Sequence, residues 1–171
     1  HPKGSIEKVK NVGGTKDMKI ERIHEINPDL IIVEKEENTK VMVAELEQHY
    51  PVFAFEIQTV ADAINMIETS GSILNRTQEA DALGHDIERA FANFPKKYTG
   101  KRAAYVIWQN PYMVVGQHTY IQSLLDKLGF INPFTELEGR YPEVTAEDFK
   151  TAELDYVLLA TEPFPFQEKH L

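Results

Sequence analysis

Residues 21–33, ERIHEINPDLIIV, decide the fold. Ile20, Ile23 and Ile26 recur at helical spacing, so a short amphipathic helix is expected here. Asn27-Pro28 ends it, because proline disfavours helical geometry in the residue before it. Asp29 then leads into a buried strand, Leu30 to Val33. The same unit returns at an offset of 126 as residues 147–159, EDFKTAELDYVLL. In both copies a glutamate, Glu21 or Glu147, lies in the first turn or so of the helix. An aspartate eight residues later, Asp29 or Asp155, opens an apolar strand. Helix–strand units look alike in any α/β protein, so a plain structural reading stands beside that of two duplicated lobes.

Working outward, Gly13-Gly14-Thr15 reads as a turn and helix entry. Asn38 and Thr39 offer caps for a helix to about Gln48, and Pro51 to Phe55 is the next strand. Thr59 with Asp62 resembles a capping box, and Val60, Ile64 and Ile67 continue one face until Ser70-Gly71 loosens the pattern. The best periodicity runs from Thr77 through Ala80, Leu83, Ile87 and either Ala90 or Phe91 to Phe94, and Pro95 stops it. About 18 residues of helix would be roughly 27 Å long, enough to bridge two lobes. A strand from Arg102 to Trp108, a helix capped by Thr119 and stopped by Gly129, a second capping pattern at Thr145 and Asp148, and a last strand from Tyr156 to Ala160 follow. Alternating strands and helices predict an α/β protein with largely parallel sheets, and the duplication reads as two similar lobes joined by one helix. The expected division is a first lobe over 1–74, an interlobe helix over 75–96 and a second lobe over 97–171.

Composition narrows the function. Eighteen Lys and Arg against 27 Asp and Glu give a formal charge of −9, which disfavours binding to a phosphate backbone. The absence of cysteine excludes disulfides, thiolate zinc sites and thiol catalysis. No apolar run is long enough to span a bilayer and no signal peptide is visible, but the sequence opens at His1 without an initiator Met. The six histidines show no metal-ligand spacing, so no protein-held metal or other cofactor is expected.

Four stretches, VGGTKDMKIERIHEINPDLIIVEKEEN (12–38), VIWQNPYMVVGQHTYIQSLL (106–125), RYPEVTAEDF (140–149) and LLATEPFPFQEKH (158–170), carry a resemblance. Their order and spacing resemble the helical-backbone periplasmic binding proteins of ABC importers, which carry cobalamin, ferric siderophores or haem. The likeness is greatest to the cobalamin-type members. It implies two mixed α/β lobes joined by a rigid helix and a ligand captured between them. It also implies further chain before His1 and after Leu171, with any lipoprotein or secretory signal in the missing start. The expected location is periplasmic, or anchored to the outer face of the cytoplasmic membrane. The expected partners are the permease subunits of an ABC importer and a small metal-chelate ligand (corrinoid, ferric siderophore or haem), with no nucleic acid. A monomer is expected, and any metal would arrive inside its chelator.

The resemblance also assigns residues. One glutamate at the tip of each lobe pairs with permease arginines in the family, and Glu21 and Glu147 match those positions. Trp108, Tyr112 and Met113, on the loop after a strand, and Tyr141, in an aromatic-Pro element, match positions that line the cleft. Flat amphipathic rings suit the face of a corrin, a porphyrin or a catecholate. Thr15 is the counterpart of Tyr141 at the same offset, and both Thr15 and Glu34 stand where cobalamin-binding relatives carry aromatics. Lys16, Lys35 and Arg140 could neutralise an anionic ligand. Glu162-Pro163-Phe164-Pro165-Phe166, after the last strand, should also face the cleft, unless it is a rigid turn with its rings folded into the core. Against this, Asn110-Pro111-Tyr112 weakly resembles the Asn-Pro-Pro-aromatic loop of amino-group methyltransferases, which grips a flipped base. No glycine-rich nucleotide loop, nucleophile elbow or spaced acid pair accompanies it, so an enzyme is the lesser alternative.

Overall fold

The computed structural model describes Gly4 and residues 7–170. His1 lies outside the described residues. The chain divides into two compact units, His1–Glu56 and Ile57–Leu171.

In the first unit a hairpin comes first, β1 (Gly13–Gly14) paired antiparallel with β2 (Asp17–Met18). The glycine pair is therefore part of a hairpin, and the expected helix entry falls instead at Lys19. Helix α1 spans Ile20–Ile26 and ends on Asn27 in the left-handed region, where asparagine is one of the few residues tolerated. Strand β3 (Ile31–Glu34) follows, then α2 (Lys40–Glu47), capped by the Thr39 hydroxyl, which accepts from the Met42 amide at 3.3 Å. Strand β4 (Val52–Phe55) returns parallel to β3, as a helical crossover requires. Ile23, Val33 and Leu46 form the buried core, flanked by Met18, Ile31, Tyr50 and Val52. Each such aliphatic side chain contributes about 1.5–3 kcal/mol on burial.

The second unit begins with α3 (Val60–Ile73) and α4 (Thr77–Ala92) packed side by side. Gly71 does not loosen α3. It is buried inside the helix, and a Cβ there would overlap the Ala80 Cβ of α4 and stand 3.0 Å from the Arg76 carbonyl. The glycine is where the hairpin turns back on itself at closest approach. Helix α4 has 16 residues and stops at Asn93, two residues before Pro95.

The sheet of this unit has the order β7-β6-β5-β8, from β5 (Ala103–Trp108), β6 (Tyr112–Val114), β7 (Glu143–Val144) and β8 (Tyr156–Leu159). Only β5–β8 is parallel; β5–β6 and β6–β7 are antiparallel. Parallel pairing thus holds at β3–β4 and β5–β8, and the second sheet is mixed. The physical reason is the short turn at Asn110-Pro111, which allows only an antiparallel return. Ala103 and Ala104 point to opposite faces and both are fully buried. Ala103 meets Leu125 and Phe130, while Ala104 and Val106 meet Val114, Phe134 and Val144. Helix α5 (Tyr120–Leu128) starts on Thr119 and ends on Gly129 at φ +86°, and α6 (Ala146–Thr151) starts on the Thr145–Asp148 capping box.

Candidate functional site

In the first unit, Thr15, Lys16, Glu34 and Lys35 gather at the C-terminal end of β3. The Thr15 hydroxyl donates to Glu37 at 3.0 Å, and the Asn38 amide donates to the Thr15 carbonyl at 3.0 Å. Lys16 bonds the Glu36 carbonyl, and Lys35 pairs with Glu56 at the end of β4. One carboxylate oxygen of Glu34 accepts the amides of Glu36 and Glu37 at 2.7 and 3.1 Å, while its own amide donates to Asn38 at 3.0 Å. The polar turn Glu36-Glu37-Asn38 therefore binds this group of candidates together. The sequence reading missed it, although an acidic run ending in asparagine just after a strand signals a turn.

In the second unit the candidates fall into two groups. A bulge in the β5–β6 pairing lies between Val106 and Trp108. Val106 pairs with Val114 in the core, but Trp108 pairs with Met113 and is 38% exposed. A bulge re-aims side chains in this way. The Trp108 ring stands edge-on to Phe164, with centroids 5.5 Å apart. Phe164 in turn meets Phe166 at 4.6 Å and His170 at 5.1 Å. Phe166 belongs to the stretch expected to face the cleft, whereas nothing in the sequence singles out His170. His170 Nδ1 accepts the Gln167 amide at 2.9 Å, which puts the proton of the neutral ring on Nε2 and makes that nitrogen a donor. Glu162 is exposed at the head of this segment.

Tyr112 differs from expectation. It belongs to strand β6 rather than a loop and is half-buried, with its ring edge-on to Phe149 at 5.5 Å and packed on the Val106–Val144 core. Adjacent strand residues face opposite ways, so Tyr112 and Met113 cannot both lie on one face. Arg140 and Tyr141 form the second group, past the other end of β6. The Arg140 guanidinium lies 5.9 Å from the Tyr141 ring centre. Hydrogen bonds fix the segment: the Gly116 amide donates to the Arg140 carbonyl at 2.8 Å and the Val114 amide to the Pro142 carbonyl at 3.0 Å.

Glu21 and Glu147 occupy equivalent places, each the second residue of its short helix, and both are exposed. Glu147 pairs with Lys150 at 3.1 Å on the same helix, with both side chains 72% exposed, so the pair adds little. The aspartates that follow behave differently. Asp155 accepts from Lys101 and from the Arg102 amide, both at 2.8 Å. The Lys101 ammonium first, and the Arg102 amide second, hold its carboxyl below the ordinary value. Asp148 is likewise held low, by the Thr145 amide and then its hydroxyl. Among the described residues, no three His, Asp or Glu side chains converge as metal ligands, and no helix is long and apolar enough to cross a membrane.

The sequence profile of the family described as "Periplasmic binding protein" matches residues 1–169. A curated vitamin B12-binding protein of Vibrio parahaemolyticus is 26% identical over 152 residues, covering 86% of this chain and 54% of that protein. A solved periplasmic vitamin B12 binding protein of Vibrio cholerae superposes with a TM-score of 0.72 at 18% identity, over 90% of this chain and 62% of that one. A periplasmic heme binding protein of Pseudomonas aeruginosa gives 0.76 at 19%, over 93% and 60%. At such identities the two structures speak for the fold alone. The chain spans about half the length of the curated relative it matches. The methyltransferase alternative is not sustained, because the matched family is one of binding proteins and Tyr112 packs on the core instead of offering its face to a base. With a profile match over nearly every residue and a mixed α/β fold to go with it, the chain belongs to the periplasmic binding protein family.

Proposed function

We propose that the protein is the ligand-capturing receptor of an ABC importer, taking a corrinoid, ferric siderophore or haem between two lobes and delivering it to the permease. The observation that carries this reading is Trp108. A single indole, half out of the core at a re-aimed strand end and backed by Phe164 and Phe166, is a surface for a flat conjugated ligand. Met113 lies beside it in register. Thr15, Lys16, Glu34, Lys35, Arg140, Tyr141 and Glu162 supply polar contacts in the same reading, and Tyr112 supports β6 from behind. The names of relatives that bind vitamin B12 and heme favour a metal chelate over a sugar or amino acid.

The same proposal assigns residues 1–74 to a first lobe, 75–96 to the link and 97–171 to a second lobe. It assigns Glu21 and Glu147 to docking on the permease, the working form to a monomer, and the location to the periplasm or the outer face of the cytoplasmic membrane. Trp108 is the only tryptophan, so its fluorescence reports locally. Titration with cobalamin, ferric siderophores and haem should give saturable quenching by one class, weakened in F164A. No quenching by any of the three would sink the reading.

A further inference from the structure

Away from these groups, two imidazoles and a phenol meet on the surface of the first unit. His24, on α1, and His49, just past the end of α2, stand edge-on with ring centroids 5.0 Å apart and planes at 84°. The Tyr50 hydroxyl lies 2.8 Å from His24 Nδ1. Tyr50 is half-buried against the Ile23–Val33–Leu46 core, while both imidazoles are exposed. The two histidines are 25 positions apart in sequence, so no spacing rule would pair them.

We propose that His24 and His49, with Tyr50 behind them, form a site for a divalent transition-metal ion of the zinc, copper or nickel type. Neutral imidazole suits these ions. With metal–nitrogen bonds of about 2.0–2.1 Å, two imidazoles bound at angles between 90° and tetrahedral have ring centres about 4.5–5.2 Å apart. The observed spacing falls in that range. In the tautomer whose Nδ1–H donates to the Tyr50 hydroxyl, His24 Nε2 carries the lone pair and is the ligand atom of the proposed site. A metal-bound histidine is ordinarily held in this way through its other nitrogen. Because no third His, Asp or Glu converges among the described residues, water completes the shell and the affinity is modest. An ordinary edge-on ring contact uses similar spacing, and a metal titration separates the two.

The test is calorimetric titration of the whole chain with ZnCl2 and NiCl2, paired with NMR of the imidazole Cε1 protons during Zn2+ addition. One equivalent should bind, moving the His24 and His49 resonances and leaving those of His85, His118 and His170 in place. H24A and H49A should each lose most of the affinity. Y50F, which keeps both imidazoles, should weaken binding about 10–100-fold with an unchanged circular dichroism spectrum. H1A should titrate like the wild type. Absence of saturable binding at millimolar metal, loss of binding in H1A, or shifts confined to the other histidines would each overturn the site. The NMR readout needs no variant, so a misfolded mutant cannot leave the question open.

Discussion

Gly116 shows how one small residue sets the place of several larger ones. It is buried, and its φ lies outside the left-handed region that favours glycine. What forbids a side chain is space. A Cβ would stand 2.8 Å from the Gly139 carbonyl, 2.9 Å from Pro142 Cδ and 3.3 Å from the Arg140 carbonyl. Two of these atoms are backbone and cannot swing aside, so G116A must push the Arg140-Tyr141-Pro142 segment away from β6. Overpacking of this kind costs about 1–3 kcal/mol. Urea denaturation should show that loss, and titration of the same variant should show weakened ligand binding, because Arg140 and Tyr141 move with the segment. Full affinity in a destabilised G116A would remove Arg140 and Tyr141 from the proposed ligand contacts. The sequence marks these residues only through chemical type. That Trp108 turns outward while Val106 stays inside depends on a bulge, and a bulge leaves no trace in an alternating pattern. Tyr112 falls on a strand in place of the expected loop for a related reason. Pro111 signals a turn, but not that the turn is short enough for β6 to begin at once.

At the scale of elements, the legible parts were those whose boundaries are chemical. Thr59 with Asp62 and Thr145 with Asp148 both form the reciprocal hydrogen bonds expected of a capping box. Asn27 and Gly129 end their helices in the left-handed region. Strands β6 and β7, of three and two residues, were missed because so short a run has no periodicity to read. The caps also make a prediction about acid. The folded pKa is lowered at Asp62, chiefly by the Thr59 hydroxyl, and at Asp148 and Asp155 by the partners already named. A lowered folded value means the unfolded chain binds more protons on acidification. The stabilisation is therefore fully present above the unfolded value of about 3.9 and is lost as pH falls through the folded values. Thermal unfolding should hold steady from neutral pH down to about 4 and then fall steeply. Combining D148N with D155N should lower stability near neutrality and flatten that acid limb. A variant with an acid limb as steep as the wild type would show that these two groups do not govern it. Separately, T59A should cost about 1 kcal/mol through loss of the α3 cap.

For the whole molecule, the recurrence at offset 126 places two glutamates at the same point of two equivalent helix starts. It also orders the chemistry that follows, since each copy runs from helix to aspartate to parallel strand. Neither glutamate is tied into a core, so neither is needed for folding, and α1 and α6 would form as well with neutral residues there. Under the proposed function they meet permease arginines. Exposed charge pairs add little affinity but raise encounter rates and fix orientation. Reversing both charges, E21K with E147K, should therefore reduce import of the ligand to background in cells or reconstituted vesicles. Affinity read from Trp108 fluorescence should stay within about twofold, because neither glutamate is among the proposed ligand contacts and screening confines surface charge to about 8 Å at physiological salt. Import by the wild type should also fall as ionic strength rises, and the single reversals should lie between wild type and the double. Undiminished import in the double variant would refute docking through these two positions while leaving ligand capture untouched. A matching loss of ligand affinity would instead mean that the reversals disturb the binding site itself, and that the helix tips are not a separate surface.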